Sequence, residues 1–278
     1  MQDKTFFADK SKFIPLVEKM SNIVFTRPRR FGKSLVLQMR MCYYDKKNAG
    51  DNEFDKVCSS LILLFFVLSL QTSIQLSLFS LSMQLFGSLW IREKGPDGKH
   101  PHKTEDQGKY VILDIDFGPK KEPTQFNTDE EYAARFVVII LESIRECVDK
   151  YGLTLPASVL GVTTDPASAL KNFCMAAGST PIFAFTDEYD TPFNNLVLRS
   201  PLSLDDKERA MLPLKANFNS FLRALKSQNV RNFMTGVPNI HITAMTMFRT
   251  NFSPDWHALS DYTEKDVKTL LAQVRSQR

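Results

Sequence analysis

Residues 23–35, IVFTRPRRFGKSL, set a short apolar run, a basic loop and the start of an amphipathic segment in immediate succession. Ile23, Val24 and Phe25 are β-branched or aromatic, the side chains of a buried strand. Gly32-Lys33-Ser34 then opens the amphipathic stretch from Leu35 to Met41. A strand that enters a helix through Gly-Lys-Ser is the context of a phosphate-binding loop. Free N–H groups at the helix start point at an anion, and the helix dipole favours negative charge there. The expected binding stretch is Arg29, Arg30, Phe31, Gly32, Lys33, Ser34 and Leu35. Lys33 would reach the β- and γ-phosphates and the Ser34 hydroxyl would bind Mg²⁺. The usual pattern begins with glycine, where this chain has Arg27, and Pro28 fixes a φ angle and removes a donor. The bland alternative is a basic surface turn.

A second stretch has matching chemistry. Pro181 to Thr186 is an apolar strand pattern that ends in Asp187-Glu188-Tyr189-Asp190. A P-loop ATPase needs an acidic residue at a strand end to hold Mg²⁺ and a neighbouring carboxylate to polarise the attacking water. Asp187 fits the metal role and Glu188 the catalytic one, beside Lys33. A solvated acidic turn is the alternative for this stretch alone. Both motifs in one chain favour the nucleotide site.

DKSKFI (Asp9 to Ile14), RPRRFGKSL (Arg27 to Leu35), TDEYDTP (Thr186 to Pro192) and LKSQNVRNFMTGVP (Leu225 to Pro238) together resemble the AAA-ATPase-like family of P-loop proteins. The four boxes occur in the family's order and span nearly the whole chain. Arginine in place of the first glycine is normal in that family. The TGVP form resembles its fungal and related eukaryotic branch. The resemblance implies Mg²⁺-dependent ATP binding and hydrolysis driving a conformational switch. It also implies a polar sensor at the end of the strand at 232–236, a role that Thr235 fits. The arginine that bacterial relatives carry downstream is replaced by Asn239. Family members have residues before the position of Met1, and many bacterial ones end in a nuclease-like domain, so a shortened chain without that domain is expected.

Composition narrows the classes. A net charge of +4 is mild; it is compatible with anionic ligands and does not demand nucleic acid. Beyond Arg27 to Arg30 no basic stripe is interleaved with aromatics. Cys42, Cys58, Cys147 and Cys174 are scattered, as buried thiols of a reducing compartment are. His100 and His102 form an H-x-H in a loop, read as solvated rather than as a metal site. The N-terminus has no signal-peptide pattern, which points to an intracellular, cytoplasmic or nuclear, protein. The partners expected are the nucleotide and a protein the sequence does not identify.

From Val57 to Ile91 the sequence has no charged residue. Its length and polarity meet the demands of a membrane span. A span there would split the sheet, and removing Val57 to Gln84 joins NEFDK to LFGSLWI as the family reads. The segment is rich in Leu, Ser and Phe, the residues of pyrimidine-rich codons. The expected organisation is therefore an ATPase-like domain in residues 1–56 and 85–278, interrupted at 57–84 by a translated retained intron. A genuine membrane hairpin or amphipathic insert is the alternative. A mature transcript that keeps the segment would remove the intron explanation.

The remaining elements follow from periodicity and caps. Ser11 to Met20 reads as a short helix and Tyr110 to Phe117 as a central strand with Asp114 or Asp116 emerging at its end. Asp116 is a second-tier site candidate. Thr128 to Tyr151 is a helix opened by a Thr128/Glu131 capping box, with Ala134, Val137, Val138, Leu141, Ile144 and Val148 inward. Asp165-Pro166 starts a helix to Ala177, Asp205 to Ser227 is a third long helix, and Thr263 opens a last one to about Gln273. Strands alternating with helices predict an α/β three-layer sandwich, mainly parallel, and the resemblance implies that it is a P-loop NTPase of the additional-strand type. Ligand would bind at the carboxyl ends of the strands. A nucleotide-dependent interaction module without turnover, and a nonfunctional gene fragment, are the competing functional readings.

Overall fold

The computed structural model describes residues 10–28, 32–49, 90–97, 100–118, 129–154, 165–198, 202–237, 249–250 and 268. Expectations for Asp9, Arg29, Arg30, Phe31, Cys58, residues 57–84, Thr128, Asn239 and most of 263–273 lie outside these residues.

The strands are β1 (Asn22–Thr26), β2 (Val111–Asp116), β3 (Ile182–Asp187), β4 (Arg231–Gly236) and β5 (Arg249–Thr250). They form one sheet in the order β2-β3-β4-β1-β5, and every pairing is parallel. Parallel neighbours require crossover connections, and the described residues between the strands include α-helices. The helices are α1 (Ile14–Glu18), α2 (Lys33–Tyr44), α3 (Asp129–Tyr151), α4 (Pro166–Ala177), α5 (Thr191–Leu198) and α6 (Leu204–Ser227).

The alternation of side chains along each strand builds three layers. Ile23, Phe25, Ile112, Phe183, Phe185 and Phe233 face one way and pack with Val36, Leu37, Tyr43 and Tyr44 of α2 and with Ile14 and Val17 of α1. Val24, Leu113, Ile115, Ala184 and Met234 face the other way, onto α3, α4 and α6. The two faces differ in kind. The α2 side is aromatic, with Phe183 and Phe185 stacked at 4.3 Å and Tyr44 5.1 Å from Phe183. The opposite side is largely aliphatic on the sheet and receives the aromatic rings of the helices, such as Phe136, Phe173 and Phe218. The fold is thus the expected α/β sandwich of the P-loop NTPase type.

Local chemistry explains where elements start and stop. Pro15 has no N–H to offer the Ser11 carbonyl, and the Ile14 N–H, three residues on, takes it instead. The segment read as one helix is accordingly a 3₁₀ turn, Ser11–Phe13, followed by the short α1. In α4 the Asp165 carboxylate accepts from the Ala167 and Ser168 amides at 3.3 and 2.9 Å. Pro166 occupies the first turn and Gly178 ends the helix at φ 62°. Ser203 caps α6 by accepting from the Asp206 amide at 3.2 Å. Pro213 lies inside that helix, whose inward face is Leu214, Phe218, Phe221, Leu222 and Leu225.

The buried stripe of α3 departs from the sequence expectation. Ala134 and Val138 are exposed, while Phe136, Val137, Ile140, Ile144, Cys147 and Val148 are buried. Val137, Leu141, Ile144 and Val148 of the expected stripe do face the core, which also takes in the Phe136 ring, stacked on Phe117 at 5.1 Å. Among the described residues no helix is long and apolar enough to cross a membrane.

Candidate functional site

The carboxyl ends of the parallel strands carry most of the polar groups singled out in the sequence. β1 ends at Thr26, and the next amide, Arg27 N–H, donates to the Gly236 carbonyl at the end of β4, 3.1 Å away. The loop thus leaves the sheet tied to β4. The Arg27 side chain folds back rather than reaching outward. It is buried, donates to the Thr26 carbonyl at 2.8 Å and lies 4.9 Å above the Phe25 ring. Backbone hydrogen bonding and a cation–π contact thereby accommodate an arginine where the usual loop has glycine.

Gly32 is the residue before α2 and adopts φ +70°, with open space where a Cβ would stand. The left-handed backbone, not crowding, is what favours glycine there. Lys33 is the first residue of α2 and is buried. Its ammonium donates to the Arg27 and Pro28 carbonyls at 3.1 and 2.9 Å, so it is held across the mouth of the loop. Ser34 and Leu35 follow in the first turn, half-buried. First-turn amides have no partner within the helix, so this end of α2 offers donors to an anion.

β3 ends in Asp187, whose Oδ1 accepts from the Glu188 amide at 3.0 Å and from the Thr235 hydroxyl of β4. Two sequence candidates, Asp187 and Thr235, are therefore in direct contact. Asp116 ends β2 beside Asp187 in register, and its Oδ1 accepts from the Gly118 amide at 2.7 Å. That bond gives Asp116 the strand-end capping role. Glu188 adopts φ 49°, a left-handed backbone that a side-chain-bearing residue rarely takes. Burial pushes its carboxyl above the ordinary value. The charges of Asp187, Asp116 and Asp190 push the same way, and a hydrogen bond from Thr191 opposes them.

Sequence reasoning overlooked the groups that lock this turn. Asp190 is buried and accepts from the Val237 amide at 2.9 Å and from the Asn194 side chain at 2.6 Å. The Tyr189 amide donates to the Thr235 carbonyl at 3.1 Å. The acidic box after β3 and the Thr-Gly-Val at the end of β4 are thus two halves of one clasp. Both boxes are visible in the sequence, but nothing local joins residues so far apart along the chain. Gly236 sits inside the clasp, and a Cβ there would press on the Tyr189 ring and lie 2.5 Å from Asp190 Oδ1. Both neighbours are buried, so neither can swing away. Gly236→Ala is expected to lower stability by about 1–3 kcal/mol, the usual range for overpacking. Chemical denaturation checks this, and an unchanged midpoint would show that the clasp is loose.

The H-x-H pair is part of a surface arrangement. The His102 ring stacks on Trp90 at 3.8 Å, with Nε2 3.4 Å from Glu93. Among the described residues, no group of three or more His, Cys, Asp or Glu side chains is arranged to hold a metal ion.

A family model described as predicted AAA-ATPase matches residues 1–61 and 66–246. The chain belongs to this family. The match extends from before the Gly-Lys-Ser loop to beyond β4, and its break falls within the uncharged run. Neither a curated protein nor a solved structure matches the chain. Membership in the predicted AAA-ATPase family supports a nucleotide-binding, ATPase-like role. The strand order fits that role, because β4 stands between β1, which feeds the loop, and β3, which carries the acidic box.

Proposed function

We propose that the chain binds Mg·ATP at the carboxyl edge of its sheet and hydrolyses it, using the cycle as a conformational switch. Lys33 contacts the β- and γ-phosphates, and the amides from Gly32 to Leu35 line the phosphate path. Arg29, Arg30 and Phe31 complete the loop. Ser34 and Asp187 hold Mg²⁺, Glu188 accepts a proton from the attacking water, and Thr235 reports the state of the site to β4.

The donor set suits the metal. A hydroxyl and a carboxylate are hard oxygen ligands, and Mg²⁺ typically takes one or two protein oxygens with phosphates and waters completing its shell. A site of this kind needs no cluster of three protein ligands. When bound, Mg²⁺ held by Ser34 and Asp187 would offset the negative charge that develops on the transferred phosphoryl group.

The observation that most supports this function is the Thr235–Asp187 contact beside the Lys33 loop. It joins the polar end of the inserted strand to the proposed metal carboxylate. Calorimetric titration of the full chain with Mg·ATP is the test. Saturable binding that weakens when EDTA removes the metal is expected. A folded chain that binds neither ATP nor GTP would leave a P-loop scaffold without its ligand.

A further inference from the structure

Thr191 opens α5 immediately after the acidic box and is buried. It is bonded twice to Glu188. Its amide donates to the Glu188 carbonyl at 2.9 Å, and its hydroxyl donates to Glu188 Oε2 at 3.1 Å. The backbone beneath is fixed by the Asp190 bonds to Val237 and Asn194.

The setting needs such a fixture. Glu188 leaves β3 with a left-handed backbone, and its carboxylate stands among Asp116, Asp187 and Asp190. Like charges repel it, and none of them selects one orientation. A hydroxyl donor does select one, because a hydrogen bond to a charged acceptor is strong and directional. With Oε2 held, Oε1 is the oxygen left to meet a water.

We infer that Thr191 is a positioning residue that aims the Glu188 carboxylate for hydrolysis. This rests on the ATPase function proposed above. In the step it serves, the oxygen of water bonds to the γ-phosphorus, and the bond from that phosphorus to the β–γ bridging oxygen breaks. ADP leaves with the bridging oxygen, and the proton of water passes to Glu188.

The test compares Thr191→Val and Thr191→Ser in the full chain by steady-state ATP hydrolysis and by calorimetric Mg·ATP binding. Valine keeps the shape and lacks the donor, whereas serine keeps the donor. Thr191→Val should lower kcat about 10- to 100-fold, the usual worth of a hydrogen bond to a charged group, with Kd within about twofold. Thr191→Ser should return kcat to within about threefold of wild type. Wild-type kcat in Thr191→Val, or a Thr191→Ser variant as slow as Thr191→Val, overturns the positioning role alone. A wild-type chain that binds Mg·ATP without turnover overturns the role together with hydrolysis.

Discussion

Glu188→Gln is expected to lower ATP turnover about 10²–10⁴-fold while leaving Mg·ATP binding nearly intact. The amide is isosteric with the carboxylate and presents a carbonyl oxygen to the Thr191 hydroxyl, so the turn after β3 keeps its hydrogen bonds. What is lost is the ability to take a proton from water. Glutamine also removes one negative charge from the group formed with Asp116, Asp187 and Asp190, which eases repulsion toward the phosphates. Binding should therefore hold or tighten slightly as turnover collapses. Single-turnover kinetics beside calorimetry separates the two. Turnover within twofold of wild type would exclude Glu188 as the base.

Lys33→Ala should act on binding. The ammonium now donates to two carbonyls of its own loop, Arg27 and Pro28, and is buried. Nucleotide would exchange those neutral acceptors for phosphate oxygens, a gain of charge-assisted hydrogen bonds worth about 1.5–3 kcal/mol each. Removing the side chain should weaken Mg·ATP binding about 10²-fold or more. The same substitution strips a donor from the two loop carbonyls, so a small loss of thermal stability should accompany it. Undiminished affinity in a folded Lys33→Ala variant would move the phosphate site away from this loop.

Much of the architecture was legible because it is written locally. β1 and β3 are short runs of β-branched or aromatic side chains, and Asp165-Pro166 with Gly178 marks both ends of α4. Caps and periodicity act over a few residues, so sequence reports them faithfully. The stripe of α3 shows the limit. Ala134 and Val138 obey helical spacing yet face solvent, while Phe136, outside the expected stripe, stacks on Phe117 in the core. The helix α5, eight residues long and directly after an acidic turn, is likewise visible in the sequence only as part of a motif. It is short, and its hold on the fold comes from burying Phe193 and Leu196 against other elements.

The sequence by itself determined the chemistry of the site. It contains a Gly-Lys-Ser at a strand-to-helix junction, paired carboxylates at a strand end and a threonine at another, all dictated by residue identity and short spacing. Only the tertiary structure decided how these meet. Parallel pairing is non-local, and residue spacing alone does not announce that β4 inserts between β1 and β3; only the family resemblance points to an additional strand there. That insertion puts Thr235 on Asp187, packs Gly236 against Tyr189 and lets Asp190 take the Val237 amide. It also fixes the turn that holds Glu188 at φ 49° and brings the Thr191 hydroxyl to it. A left-handed glutamate is unfavourable in isolation, and it persists here because hydrogen bonds from a distant strand over-determine the turn around it.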